Sequence, residues 1–210
     1  MKNSLLVNEI FNSIDGEGKR AGELATFIRL TGCNLRCSYC DTSYAFQDGT
    51  EMPLQDIVQQ VKYRNVTLTG GEPLIQNVKP LLMALHHHNI NIETNGSIDI
   101  EPYFGIPNVW FTIDYKTKSS GMIHEMWHNN FSILRPQDVL KFVVGNREDL
   151  EQAREICNTY KIHCPIYISP VFGKIEPSEI VAYMKEKNLE EWKIQLQLHK
   201  FIWNPTERGV

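Results

Sequence analysis

The chain has 210 residues, of which 42% are hydrophobic and 22% are charged, and its formal net charge is −4. This composition is typical of one globular domain over residues 1–210 and excludes a disordered, collagen-like or coiled-coil protein. Because no basic block or long apolar run is present, we expect binding to neither nucleic acid nor membranes. Polar residues interrupt the N-terminal segment before a signal-peptide core could form, so we expect a cytoplasmic protein.

Short apolar segments alternate with longer amphipathic ones along the chain. The pattern predicts strands at residues 25–30, 66–69, 90–93, 109–113, 139–144, 165–168 and 192–198. It predicts helices at residues 54–63, 78–88, 147–160 and 177–187 and a long loop at 119–137. Alternating strands and helices form a mainly parallel sheet covered by helices. A closed eight-unit barrel typically needs about 250 residues, so we expect an α/β fold with an open partial (β/α) barrel.

Three of the five cysteines, Cys33, Cys37 and Cys40, lie within eight residues after the first predicted strand. An odd, clustered set in a chain without a signal peptide favours metal or redox chemistry over disulfides. Thiolates bind iron–sulfur clusters and zinc, and three of them leave one coordination position without a cysteine. A four-iron cluster with one open iron fits this spacing. Zinc with a distant fourth ligand, or three buried structural cysteines, are the alternatives.

A second motif, Gly70-Gly71-Glu72-Pro73, follows the next predicted strand. Two glycines allow the backbone to approach a ligand closely, and proline stiffens the turn. Polar residues also follow later predicted strands, as in Glu93-Thr94-Asn95-Gly96. Ligands of parallel α/β folds bind at the carboxyl ends of strands, so these positions together predict a site at that edge.

The two motifs together resemble the radical S-adenosylmethionine family, in which an aromatic residue such as Tyr39 precedes the last cysteine. The resemblance implies a [4Fe-4S] cluster on the three cysteines and S-adenosylmethionine on the open iron. It also implies an electron donor such as flavodoxin and cleavage of the cofactor to a 5′-deoxyadenosyl radical. The cofactor contacts that it implies are Gly71, Glu72, Asp114, Tyr115, Lys116, Ser169 and Pro170.

Residues 10–18, 40–42, 114–121 and 195–200 narrow the resemblance to one branch of that family. Its members convert 6-carboxy-5,6,7,8-tetrahydropterin to 7-carboxy-7-deazaguanine with loss of ammonia, a lyase reaction of queuosine biosynthesis. The resemblance implies a homodimer and a Mg²⁺ ion on Thr42, whose hydroxyl is a hard oxygen donor. The substrate contacts that it implies are Ile14, Asp15, Gly16, Glu17, Arg29, Thr69 and His199. Asp15 stands where that branch usually has glutamine.

Two other functions remain as alternatives at this stage. The first is a small radical enzyme that activates a glycyl-radical enzyme or a ribonucleotide reductase, with a protein as its partner. The second is a non-catalytic zinc or iron–sulfur module. Some residues are assigned no site: His86, His87 and His88 suit the end of a helix, while Cys157 and Cys164 suit a core.

Overall fold

The structure is a computed structural model, which describes residues 3–204 and 207–210. One nine-stranded sheet has the order β3-β1-β2-β4-β5-β6-β7-β8-β9. The strands are β1 (Ser4–Ile14), β2 (Leu24–Leu30), β3 (Thr50–Pro53), β4 (Asn65–Gly70), β5 (Asn89–Thr94), β6 (Val109–Tyr115), β7 (Val139–Val144), β8 (Ile166–Pro170) and β9 (Trp192–Ile194). Strands β2 and β4 to β9 run parallel, while β1 is antiparallel to both of its neighbours. The sheet ends at β3 and β9 and is not closed, which confirms the predicted fold class.

Six α-helices accompany the sheet. They are α1 (Leu54–Gln59), α2 (Lys79–Ala84), α3 (Asn129–Ser132), α4 (Arg147–Tyr160), α5 (Pro177–Lys187) and α6 (His199–Ile202). Short 3-10 helices lie at Ser43–Phe46, Pro73–Ile75, Glu101–Tyr103, Lys118–Ser120 and Ile123–Glu125. The last two of these and α3 occupy the predicted loop at 119–137 or its edge. Among the residues that the structure describes, no helix combines the length and apolar character needed to cross a bilayer.

The bounds of α4 and α5 agree with the sequence prediction because both helices begin at clear capping signals. The Asn146 side chain accepts a hydrogen bond from the Asp149 N–H, and Glu176 forms a capping box with Glu179. The prediction was wrong for the ends of α1 and α2, which are shorter. After α1, the N–H groups of Lys62 and Tyr63 donate to the Thr26 hydroxyl at 3.0 and 3.2 Å and leave the helical pattern.

Two strands were not predicted from the sequence, and the carboxyl ends of β6, β8 and β9 were misplaced by two or more residues. Strands β1 and β3 were not predicted, because β1 mixes apolar residues with asparagine, serine and glutamate and β3 has only four residues. Strand β6 continues through Tyr115, beyond its predicted end at residue 113. Strand β9 ends at Ile194, because the chain leaves the sheet edge after the Gln195 N–H bonds the Ile168 carbonyl. The three histidines at 86–88 follow α2 and do not belong to it.

The two faces of the sheet differ sharply in polarity. On the outer face, which packs under the helices, Ile28, Leu68, Ile92 and Phe142 are almost fully buried. Side chains alternate between faces along a strand, so the residues between them point to the opposite, inner face. The polar members of the inner face are Arg29, Thr67, Thr69, Asn91, Glu93, Thr112, Asp114, Lys141 and Ser169. The inner face therefore provides the polar surface on which a ligand could bind.

The connection between β1 and β2, residues 15–23, joins the two ends of the open sheet. Glu17 accepts hydrogen bonds from Lys141 Nζ at 2.8 Å and from Ser169 Oγ at 3.0 Å. The backbone N–H and carbonyl of Gly18 both bond the Gln195 amide, at 2.8 and 3.0 Å. This connection therefore ties the N-terminal hairpin to β7, β8 and the segment after β9.

The same connection contains a buried ion pair, Asp15 with Arg20, at 2.8 Å. Both residues are buried, and Arg20 also donates to the Thr67 hydroxyl at 2.8 Å and lies over the Trp110 ring. Burial raises the pKa of Asp15, although Arg20 and Thr67 act to lower it. The pair holds the connection against the amino ends of β4 and β5.

Removing one member of this pair should destabilise the fold. Arg20→Met leaves the Asp15 carboxylate buried without its cation, and we expect a loss of about 3–5 kcal/mol in the free energy of unfolding. Urea denaturation measures this loss. The double variant Asp15→Leu/Arg20→Met should recover much of it, and Arg147→Met, at the exposed Arg147–Glu186 pair, should hardly move the midpoint. Equal midpoints for Arg20→Met and Arg147→Met would contradict this account.

Candidate active site

The cysteine loop, residues 32–42, leaves the carboxyl end of β2. Cys33, Cys37 and Cys40 are free thiols and partly exposed. Cys33 Sγ accepts hydrogen bonds from the Leu35 N–H at 3.4 Å and the Asn95 amide at 3.8 Å. Burial raises the pKa of Cys37; the other two thiols raise it further, and Lys116 lowers it. The three thiols therefore lie near enough to influence one another, beside a cation that favours their ionised forms.

This donor set fits an iron–sulfur cluster. Within the described part of the chain, no three histidine, cysteine or acidic side chains converge as ligands of one metal ion would. In a cubane cluster, each cysteine binds a different iron atom, so the sulfurs need not converge on one point. Three accessible thiols in one loop, with N–H donors and a lysine beside them, meet that requirement.

The second motif packs directly against the cysteine loop. The Gly71 N–H donates to the Leu30 carbonyl at 3.3 Å, and the Glu72 N–H donates to the Gly32 carbonyl at 2.8 Å. A Cβ on Gly71 would lie 2.3 Å from the Gly32 carbonyl oxygen and 2.7 Å from Cys33 Cβ. Only glycine permits this approach, so the two motifs form one continuous structure at the carboxyl ends of β2 and β4.

The Glu72 side chain is fully buried and already engaged. Its carboxylate accepts hydrogen bonds from the Leu74 N–H at 3.0 Å, the Thr94 hydroxyl at 2.9 Å and the Asn95 N–H at 2.7 Å. Burial raises its pKa to about 7, while these hydrogen bonds act to lower it. The carboxylate thus fastens the end of β5 to the glycine motif, and a contact from Glu72 to a cofactor would have to use its main chain.

The predicted cofactor contacts on β6 divide between the two faces of the sheet. Asp114 faces inward and pairs with Lys116 Nζ at 2.9 Å. The Tyr115 ring lies on the outer face, packed against Phe131 and Phe142 with ring centroids 5.0 and 5.4 Å away. It is 1% exposed, which leaves only its main chain available to a ligand. On β8, Ser169 and Pro170 are the last two residues of the strand.

Arg29 lies on the inner face, one residue before the end of β2. Its guanidinium donates to Glu9 at 2.7 Å and lies 5.7 Å from the ring centroids of both Phe11 and Tyr44. The Tyr44 hydroxyl donates to the same Glu9 carboxylate at 2.9 Å. Near the C-terminus, the Arg208 guanidinium lies over the Tyr44 ring, 3.9 Å from its centroid. The C-terminal segment therefore returns to this part of the site.

His199 opens α6 and does not end the last strand, as the sequence analysis expected. It packs against Gly16, where an added Cβ would lie 2.2 Å from His199 Nδ1. The Leu198 N–H donates to the Gly16 carbonyl at 3.0 Å. Burial lowers the pKa of His199, although the Glu17 carboxylate acts to raise it. His199 therefore lies beside the predicted substrate residues at 14–17, but it does so from the start of α6 and not from the end of a strand.

Thr42 lies at the end of the cysteine loop, beside the carboxylate of Asp41. Its hydroxyl donates to Asp41 at 2.9 Å, and Lys200 pairs with the other oxygen of that carboxylate at 3.0 Å. This contact joins the cysteine loop to α6. Thr42, Arg29 and His199 thus border one region at the carboxyl end of the sheet.

Two charged residues of the inner face, Glu9 and Lys141, were not predicted from the sequence, and Gln195, which follows β9, was given no role of its own. Lys141 stands inside the otherwise apolar strand β7, and Glu93 inside β5 was noticed but given no role. A charged residue within an apolar strand is the signal that could have found both, because alternation assigns it to the polar face.

Replacing Gly71 should separate the two motifs. Gly71→Ala places a methyl group against main-chain atoms of the cysteine loop, so we expect about 1–3 kcal/mol of destabilisation and a loss of cluster content. Gly145→Ala is the matched control, since its nearest neighbour would lie 3.3 Å away on a serine side chain. Iron analysis after anaerobic reconstitution and urea unfolding measure both effects. Full cluster content in Gly71→Ala would contradict the close approach.

Comparison with known proteins agrees with this geometry. The profile of the Radical SAM superfamily matches residues 27–126, which include both motifs. A 7-carboxy-7-deazaguanine synthase of Clostridium acetobutylicum is 43% identical over 97% of this chain and 98% of its own length. The synthase of Chlorobaculum tepidum is 38% identical over 98% of this chain and 97% of its own length.

Among solved structures, the fold is similar to that of the crystal structure of QueE from Escherichia coli. The TM-score is 0.76 at 24% sequence identity, and the match covers 92% of this chain and 94% of that one. At this identity the likeness concerns the fold alone. The family assignment rests on the sequence identity to the synthases, which extends over nearly the full length of each chain. The chain belongs to the 7-carboxy-7-deazaguanine synthase family of radical S-adenosylmethionine enzymes.

Proposed function

We propose that this chain converts 6-carboxy-5,6,7,8-tetrahydropterin to 7-carboxy-7-deazaguanine with loss of ammonia, as a lyase of queuosine biosynthesis. One observation of the geometry carries the proposal: the cysteine loop adjoins a concave, charged inner face at the carboxyl end of the same sheet. A radical source and a polar small-molecule site are thereby neighbours. The activating-enzyme and zinc-module alternatives are not favoured, because the family match extends over nearly the whole chain.

Cys33, Cys37 and Cys40 would hold the [4Fe-4S] cluster, and Gly71, Asp114, Lys116 and Ser169 would contact S-adenosylmethionine. When bound, the two groups supply an electron and the carbon radical that removes a hydrogen atom from substrate. The chain's own task is to hold the substrate in one orientation and to keep water out. A flavodoxin-type electron donor and a homodimer belong to the same proposal.

Arg29 is the proposed clamp for the substrate carboxylate. Its planar guanidinium can bind a carboxylate through two parallel hydrogen bonds, a geometry that lysine does not offer. The Phe11 and Tyr44 rings hold it in place from two sides. The Arg29 guanidinium is paired with Glu9, so a substrate carboxylate would either share Arg29 with Glu9 or replace Glu9. Thr69 and His199 would complete the binding surface.

The main chain of residues 14–17 would contact the pterin. Asp15 replaces the glutamine usual in this branch, and its carboxylate is already bonded to Arg20 and Thr67, at 2.8 and 2.6 Å. Its side chain therefore supports the loop, and so does its main chain, because the Asp15 N–H donates to the Glu23 carbonyl and the Asp15 carbonyl accepts from the Gly22 N–H, both at 2.8 Å. Glu17 supports the same loop. Burial acts to raise its pKa, but Lys141, Ser169 and Gln197 together hold the pKa of the Glu17 carboxyl below its usual value.

Thr42 is the proposed protein ligand of Mg²⁺. Its hydroxyl lies beside the Asp41 carboxylate, which is paired with Lys200, so a cation there would meet hard oxygen donors and share that carboxylate with Lys200. Mg²⁺ usually keeps several waters and binds few protein groups, which fits one hydroxyl and a substrate carboxylate. Such an ion would orient the substrate relative to the radical source.

Anaerobic turnover tests the proposed function directly. We expect the reconstituted protein, given the carboxytetrahydropterin, S-adenosylmethionine, Mg²⁺ and a reductant, to form a product lighter than the substrate by one ammonia. Cys33→Ala, Cys37→Ala and Cys40→Ala should each lose cluster iron and all turnover, because each removes one ligand. Mass spectrometry and iron analysis are the measurements.

The controls are Cys157→Ala and Cys164→Ala, which should keep iron and turnover. Both thiols have their pKa raised by burial, to about 12 and about 11, and lie away from the cysteine loop in α4 and just before β8. Stoichiometric zinc without iron in anaerobically purified protein would refute the cluster assignment. A loaded enzyme that leaves the pterin unchanged would refute the substrate.

Replacing the Thr42 hydroxyl tests the magnesium site. Thr42→Val should weaken the apparent Mg²⁺ affinity by about 10- to 100-fold, because the protein ligand is lost. Thr42→Ser keeps the hydroxyl and should stay close to the parent protein. Product formation measured across a Mg²⁺ titration gives the affinity. Turnover that is the same in chelator as in added Mg²⁺ would exclude a role for the ion.

A further inference from the structure

Glu93 lies at the centre of the inner face. It belongs to β5, between Ile92 and Thr94, which are buried on the outer face. Its register partner on β6 is Thr112, also on the inner face. On the other side, the Thr69 hydroxyl donates to the Glu93 carboxylate at 3.3 Å. The carboxylate therefore projects toward the space in which the proposed substrate contacts converge.

Among the described carboxylates of the inner face, Glu93 is the one without an ion-pair partner, and unlike Glu72 it is not held by several hydrogen bonds. Four carboxylates are each paired with a cation, namely Glu9 with Arg29, Asp15 with Arg20, Glu17 with Lys141 and Asp114 with Lys116, at 2.7 to 2.9 Å. Among the described residues, the one direct polar contact of the Glu93 side chain is the bond from Thr69. Its oxygens consequently keep capacity to bind a ligand or a proton.

The surroundings of Glu93 favour a carboxyl that titrates near neutral pH. Burial raises its pKa to about 7. Lys141 on β7 and Arg29 on β2 act to lower it, while Glu17 and Asp15 in the connection between β1 and β2 act to raise it. A group with a pKa near the working pH can both accept and return a proton, as a general acid–base catalyst must.

The chemistry requires such a group. Converting the pterin to the deazaguanine removes one ammonia and consumes no external oxidant. After ring contraction, one C–H bond and one C–N bond on neighbouring carbons must break. The electron pair of the C–H bond becomes the new C=C bond, and its proton must reach the departing nitrogen.

We propose that Glu93 is the catalytic proton carrier of this ammonia-releasing step, an inference that rests on the proposed function. The ionised carboxylate takes the proton from the ring carbon, then gives it to the amine nitrogen as the C–N bond breaks. Ammonia leaves, and Glu93 returns to its ionised form. The paired carboxylates are less suited to this task, because releasing them would leave a buried cation unpaired.

Glu93→Gln separates this step from the radical step. With substrate deuterated on its saturated ring carbons, transfer of deuterium into the 5′-deoxyadenosyl group of S-adenosylmethionine reports hydrogen abstraction. We expect that transfer to stay within about threefold of the parent, while ammonia release falls about 10²- to 10⁴-fold. A ring-contracted species with the mass of the substrate should accumulate. Glu93→Asp keeps a carboxylate and should restore part of the release.

The pH profile gives a second readout that needs no variant. In single turnovers of the parent, decay of the ring-contracted species should rise about tenfold per pH unit below about pH 7 and level off above it. This rise reflects the ionised fraction of Glu93, and the residual decay in Glu93→Gln should not follow it. Glu190→Gln, an exposed site, is the matched control and should behave as the parent.

Three outcomes would overturn the inference while leaving the proposed function intact. These are undiminished ammonia release in Glu93→Gln, an equal loss of deuterium transfer and ammonia release, or a flat decay profile in the parent. Failure of the parent itself to transfer deuterium or form product would instead reject the proposed function and this inference together. The unfolding midpoint of Glu93→Gln, which removes an unpaired charge without changing shape, checks that the variant folds.

Discussion

The pairing of buried charges on the inner face is the constraint on which the rest of the structure depends. A concave sheet that presents carboxylates and cations away from bulk water is stable only when these charges are matched. Asp15 with Arg20 and Glu17 with Lys141 meet that condition, and the same residues attach one connecting segment to β4, β5 and β7 through Thr67, the Asn89 carbonyl and Lys141. Together with the bonds from Gly18 to Gln195, these contacts tie the segment between β1 and β2 to the far side of the open sheet.

A second constraint is steric and couples the two motifs of the site. Gly71 touches the main chain of the cysteine loop, and the Glu72 carboxylate bonds the end of β5. The cysteine loop, the glycine motif and β5 consequently form one rigid edge. Thiols that each bind a different iron must be held in fixed positions. The cysteine loop has few buried side chains of its own, so its packing against the glycine motif and β5 fixes its conformation.

The same charge balance explains why one carboxylate stands apart. Matching Glu9 and Asp114 of the inner face to cations leaves Glu93 with a hydroxyl partner, and burial raises its pKa to about 7. Such a group contributes no stability, because the free energy of unfolding falls as the pH rises from its ordinary pKa of 4.5 to about 7 and stays lower above that. Because Glu93 lies among the proposed substrate contacts, its burial serves the reaction and not the stability of the fold.

The sequence by itself determined the class of fold and the identity of the motifs. Apolar periodicity identified β2 and β4 to β9, and the spacing of Cys33, Cys37 and Cys40 indicated the kind of metal centre, because both are local properties of the chain. Capping residues likewise set the bounds of α4 and α5. Strand β1 escaped prediction, since its mixed residues become a strand only through antiparallel pairing with β2.

Only the tertiary structure decided which charged residues meet. Arg29 was selected from the sequence, but its partner Glu9 and its neighbour Phe11 lie on the adjacent antiparallel strand, and Tyr44 comes from a further segment. Tyr115, adjacent to Asp114 in the sequence, lies on the opposite face and packs in the core. Lys141 meets Glu17 across 124 positions of sequence. Partner choice, burial and the resulting pKa depend on contacts between distant segments, which a local pattern of residues does not contain.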